Sequence, residues 1–175
     1  MIPPIPAPSL APGLAPLRDS RAEGTLGAAE TVFAPGIALH ADPGLALAGH
    51  WRSPAGRLLE LEVTPSGAGG WLALHVALNL TALPGSGWIA FACQSAAREA
   101  VMIRPCLRSG TETGFADCFF PRHILAGPEP VSHTDALPLA TTPDLPAAAP
   151  WRELVFFLPR TPFGWHLHDL RVVLM

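Results

Sequence analysis

Proline and glycine punctuate this chain so densely that long helices are excluded. Twenty-one prolines and sixteen glycines stand in 175 residues, about one residue in five and nearly double the usual share. Proline removes a backbone donor and clashes with the preceding helical turn, and glycine inside a helix costs conformational entropy. Such a chain folds as many short strands joined by turns. The rest of the composition supplies a core, with 49% apolar and only 14% charged residues. The length suits one domain of ordinary size. Lysine and tyrosine are absent, so all 11 basic residues are arginine, a pattern consistent with a GC-rich coding bias.

The same numbers exclude several functions. A formal net charge of −3 offers no basic patch for nucleic acid. No unbroken apolar segment reaches about 18 residues, so no membrane insertion is expected. Three cysteines, Cys93, Cys106 and Cys118, cannot close a disulfide framework, and no CxxC pair offers a zinc site. They read as reduced core thiols. The start Met1-Ile2-Pro3-Pro4 has neither a basic n-region nor a continuous apolar h-region. The expectation is synthesis in the cytoplasm without a signal peptide, with the surface of an assembled particle as a destination.

Residues 1–17 form a proline-rich arm with Ile2, Ile5, Leu10, Leu14 and Leu17 and no charge before Arg18. Proline favours extended geometry here, and the apolar side chains need cover. The arm is expected either to lie along a protein partner or to be a disordered tail, and a homo-oligomer is expected. Residues 18–175 are read as a single domain. Residues 18–44 are turn-rich. The cleanest strand follows at Trp71–Leu80: Leu72, Leu74, Val76, Leu78 and Leu80 share one face, and Trp71, Ala73, His75, Ala77 and Asn79 the other. Further strands are predicted at 57–63, 88–93, 99–107, 115–120, 153–159 and 165–174. Pro105 should mark an edge or bulge. Residues 127–150, with six prolines, read as a long surface excursion. The fold class is all-β: an antiparallel sandwich or jelly roll of about eight strands.

Catalytic motifs are sparse. No G-x-S-x-G occurs, and no phosphate-binding glycine loop opens a helix. Glu60 and Glu62 share a strand face and read as a solvated surface rather than a glycosidase pair. His166 and His168 share a face, as in the H-x-H of cupin-like metal sites, with His75 or His123 as a third ligand. That pattern also needs a following Glu and a later His, and the sequence has only six residues after Asp169. No cofactor is implied. The tryptophans offer more. Trp71, His75 and Asn79 lie on the less apolar face of one strand, and an exposed Trp beside His, Asn and Arg suits a sugar ring and its hydroxyls.

The alternating strand Trp71–Leu80, the strand Trp88–Cys93 and the closing pair Trp151–Leu158 and Trp165–Leu174 resemble the galactose-binding-like jelly rolls used as carbohydrate-binding modules. The resemblance implies sugar binding without catalysis. Many such modules carry a structural calcium, and no acidic loop cluster here matches one. A looser resemblance, from the apolar arm ahead of a sandwich, is to decoration or head-spike proteins of phage-like particles. The expected function is non-enzymatic recognition of a cell-surface glycan, with Trp71 and Trp165 stacking and His75, Asn79 and Arg104 hydrogen-bonding. The rivals are a spike or adaptor subunit that binds only protein, and a cupin-like metalloenzyme.

Overall fold

In the computed structural model, which describes residues 9–175, alternating strands stack as two antiparallel sheets over one core. In chain order the elements are α1 (Leu14–Ser20), β1 (Glu23–Thr25), β2 (Glu30–Ala34), β3 (Ile37–Ala41), β4 (Leu47–Arg52), β5 (Leu59–Pro65), β6 (Leu72–Leu78), β7 (Trp88–Ala97), β8 (Val101–Thr111), β9 (Gly114–Phe119), β10 (Ile124–Ala126), β11 (Val131–Pro138), β12 (Arg152–Phe157) and β13 (Phe163–Leu174). The front sheet runs β10-β8-β12-β6-β3-β2, with β9 also beside β8. The back sheet runs β1-β4-β5-β13-β7-β11. This is the expected antiparallel sandwich, with thirteen strands among the described residues rather than about eight.

The additional strands come from three places, one of them the short β10, which pairs with Val101–Ile103 of β8. β1 to β3 arise from the turn-rich residues 18–44 and β4 from those just after, where short runs gain β structure only by pairing with neighbours. β11 comes from the proline-rich stretch, where it pairs with β7 over Val131 to Pro138. Pro128 and Pro130 lie before β11 and Pro138 ends it, so proline brackets this strand rather than breaking it. Pro105 sits inside β8, between the segment that pairs with β10 and the one that pairs with β9. Its missing N–H therefore falls where the partner on that edge changes.

Alternation builds the core as read. Leu72, Leu74, Val76 and Leu78 of β6 point inward with Leu154 and Phe156 of β12, facing Leu61, Val63, Trp165 and Leu167 of the back sheet. Gly49 is required by geometry: its φ is +138°, and a Cβ there would lie 1.9 Å from the Glu62 carbonyl oxygen. Cys93, Cys106 and Cys118 are free and buried. Burial pushes the Cys93 and Cys106 thiols up to about 12, which leaves them unreactive.

Helix α1 runs across the boundary expected at residue 17. Ala11, Leu14 and Leu17 are buried in the same core as the sandwich, and Ser53 Oγ donates to Leu17 O at 2.7 Å. Leu14 and Leu17 are three residues apart, which puts both on one helix face. Pro16 falls in the first turn, where its missing N–H breaks no helical bond. So residues 9–17 cover their apolar side chains on this chain. Residues 1–8 of the expected arm lie outside the described residues.

Candidate functional site

The outer face of the front sheet is set by the same alternation that fills the core. Its registers align three rows: Asp117–Arg108–Glu153–Ala77, then Phe119–Cys106–Val155–His75–Ala38, then Arg104–Phe157–Ala73–His40. Phe115, Phe119, Met102 and Trp151 are exposed on this face or at its end. Large apolar side chains left in water by a folded sheet mark a contact surface when they cluster.

Polar groups on the face are held in place. The Arg108 guanidinium donates to both Asp117 oxygens at 2.7 Å and lies over the Phe115 ring at 3.8 Å. Arg104 lies over Phe119 at 3.6 Å. The Phe119 and Phe157 rings are 5.9 Å apart. Trp151 packs where Gly110 leaves room, since a Cβ there would sit 2.5 Å from the indole nitrogen. His75 Nδ1 and Glu153 Oε2 are 2.7 Å apart, and the His40 ring meets His75 edge-on at 4.7 Å. The face is thus a fixed mosaic of ring faces and guanidinium edges, the chemistry that suits a sugar's C–H and hydroxyl surfaces.

The residues predicted from sequence fall in different places. Trp71, 42% exposed, precedes β6 at one end of this face. His75 is nearly covered and braces Glu153. Arg104 is exposed within the face. Asn79 is exposed beyond the other end of β6. Eight residues of strand separate it from Trp71, on the order of 26 Å, so only an extended ligand reaches both. Trp165 is corrected: it is 0% exposed, because its register opposite Leu61 and Ala97 turns it inward.

His166 projects beside Glu60 on the back sheet, whereas His168 falls at a bulge between Leu167 and Asp169. His75 belongs to the other sheet. Among the described residues no three ligating side chains converge on a metal position. Glu60 also differs from expectation. It is buried, with one oxygen on Arg52 and the other on Arg57. It lines a back-sheet groove of about 670 Å³ with Trp51, Glu62, Arg98 and His166.

Sequence reading missed Phe115, Phe119, Phe157, Arg108 and Asp117. The signal was present in Phe115-Ala116-Asp117-Cys118-Phe119, whose period of two puts 115, 117 and 119 on one face.

Acid should weaken this fold in two stages. Burial lowers His40, with His75 adding to it; burial also lowers His133 and His168. The folded state therefore prefers these rings neutral, and stability is lost as pH falls below their ordinary 6.5. For Glu60 and Glu153, burial pushes upward but is outweighed by Arg52 and Arg57 and by His75, respectively, so both lie below the ordinary 4.5. Their contribution is present above 4.5 and lost as pH falls beneath it. Urea midpoints measured from pH 8 to pH 3 should be flat at first, decline below 6.5 and steepen below 4.5. A flat profile to pH 3 contradicts this.

No family model and no curated protein matches the sequence. Solved structures do match in fold. One, described as "CBM4 structure and function", superposes with a TM-score of 0.57 at 16% identity over 81% of this chain and 96% of its own. The chain shares the jelly-roll sandwich of carbohydrate-binding modules. The N-terminal cellulose-binding domain of Cellulomonas fimi β-1,4-glucanase C gives 0.54 at 16% identity, over 80% of this chain and 89% of that one. The family 11 module from Clostridium thermocellum, solved with a β-1,3-1,4-mixed-linked tetrasaccharide, gives 0.51 at 12% identity, over 86% and 95%. At these identities the likeness is one of fold.

Proposed function

We propose that the chain is a non-catalytic glycan-binding module whose ligand lies along the outer face of the front sheet. The observation that carries this is the pair of exposed rings Phe115 and Phe119, each with an arginine Cζ within 3.8 Å of its centroid, and the Phe157 ring 5.9 Å from Phe119. The sandwich shared with modules described as binding cellulose and a mixed-linked tetrasaccharide supports the same reading. A protein-only spike rests on the uncharged segment 1–17 and on exposed apolar surface of the sandwich; residues 9–17 of that segment pack on this chain's own core, and the exposed front-face rings Phe115 and Phe119 are interleaved with Arg104 and Arg108. The glycan reading is therefore the better supported of the two.

The test is affinity electrophoresis and calorimetry against soluble mixed-linked β-glucan, xylan, galactan and polygalacturonate. At least one should retard the protein and titrate with a Kd tighter than about 1 mM, a free energy of about −4 kcal/mol. No polysaccharide should release new reducing ends. Failure to bind any of them, or steady hydrolysis, counts against the proposal.

A further inference from the structure

At the Arg104 end of the front face, a cleft of about 770 Å³ opens between the face and two loops. Its lining includes Arg104, Arg160, His123, Met102 and Phe157, together with the glycine loop at Gly67–Gly69. Among the described residues no Asp or Glu lines it. That is unusual in this chain. Seven of the eleven arginines pair with carboxylates: Arg18, Arg52, Arg57, Arg98, Arg108, Arg122 and Arg171. Of the other four, Arg152 is buried on Ser109 and Pro146, and Arg21 follows α1. The remaining two, Arg104 and Arg160, share this cleft. Neither has a hydrogen-bonded or ion-paired partner among the described residues. The carboxylate behind the glycine loop, Asp42, already accepts from the Gly44 and Gly70 amides at 2.8 and 2.6 Å.

Two guanidiniums without counter-ions, in a protein of net charge −3, form a local positive centre in a negative field. Arg104 Cζ lies 3.6 Å from the Phe119 ring centroid, and among the described residues no hydrogen bond engages its N–H groups. Guanidinium edges match planar or tetrahedral oxyanions and give the strong, charge-assisted class of hydrogen bond. We infer that the glycan of the proposed function carries an acidic group, a carboxylate or sulfate on a sugar ring, and that Arg104 and Arg160 receive it in this cleft. The inference rests on that proposed function, since the cleft continues the same face through Phe157.

The experiment compares matched pairs by calorimetry. Polygalacturonate is set against its methyl ester, and dextran sulfate against dextran, with polyglutamate as a charged non-sugar. The chain should bind one acidic polymer at least about tenfold more tightly than its neutral partner, and the preference should shrink with added salt. The arm that responds identifies carboxylate or sulfate. R104Q/R160Q should lose that preference by tenfold or more while melting within a degree or two of wild type, because both side chains are exposed. Equal binding of acidic and neutral polymers, a double variant that keeps the preference, or equal binding of polyglutamate overturns the inference and leaves glycan binding standing. Absence of binding to every sugar, neutral or acidic, overturns both.

Discussion

Trp165→Ala should lower the free energy of unfolding by about 3–5 kcal/mol, the range for emptying a buried aromatic site. The ring is fully buried between the sheets, with Phe156 at 6.2 Å between centroids. Its indole nitrogen has no hydrogen-bond partner among the described residues, so the loss is one of packing and cavity formation. Against a typical total of about 5–15 kcal/mol, that leaves a marginal or unfolded protein. Urea denaturation measures it, with Trp71→Ala as the comparison. Trp71 is exposed, and its loss should shift stability by about 0.5 kcal/mol at most. Similar costs for the two would contradict the placement of Trp165. The contrast also separates two uses of one residue type, since both tryptophans stand near the start of a strand and look alike in sequence.

That pair shows where the sequence was readable. Period-two alternation located the inner face of β6 residue by residue, because Leu72, Leu74, Val76 and Leu78 differ in polarity from Trp71, His75 and Asn79. In β13, Trp165, Leu167, Leu170 and Val172 do not keep one period, since the bulge near His168 shifts the register. The parity of Trp165 was therefore hidden, and so was the separation of His166 from His168. Strands of three to five residues, such as β1 and β2, carry too few alternations to register against turn residues. Helix α1 was obscured by Pro12 and Pro16, which argue against a helix unless they fall before it and in its first turn. The Arg–Phe stacks join residues fifteen or fewer positions apart in sequence, yet they need β8 and β9 to pair before they exist. Glu60 illustrates the converse: a charge on an alternating strand is ordinarily solvated, and only the strands beside it bring up Arg52.

Phe119→Ala should weaken glycan binding by tenfold or more, because it removes both a ring face and the platform that holds Arg104. A truncated aromatic contact of the energetically dominant kind costs about 2 kcal/mol or more, and the freed guanidinium must then be ordered by the ligand itself. The cost in stability should stay near 1 kcal/mol, since the ring is partly in solvent. Trp88→Ala is the matched control. Trp88 is about as exposed as Trp71 but belongs to the back sheet, and its loss should leave affinity within about twofold.

The most direct measurement is the Kd of wild type, Phe119→Ala and Trp88→Ala for the tightest-binding soluble polysaccharide, by calorimetry at one pH and one salt concentration. Binding through the front face predicts a loss of tenfold or more for Phe119→Ala and little change for Trp88→Ala. Unchanged affinity in a folded Phe119→Ala, or a larger loss in Trp88→Ala, would place the ligand elsewhere and contradict the account.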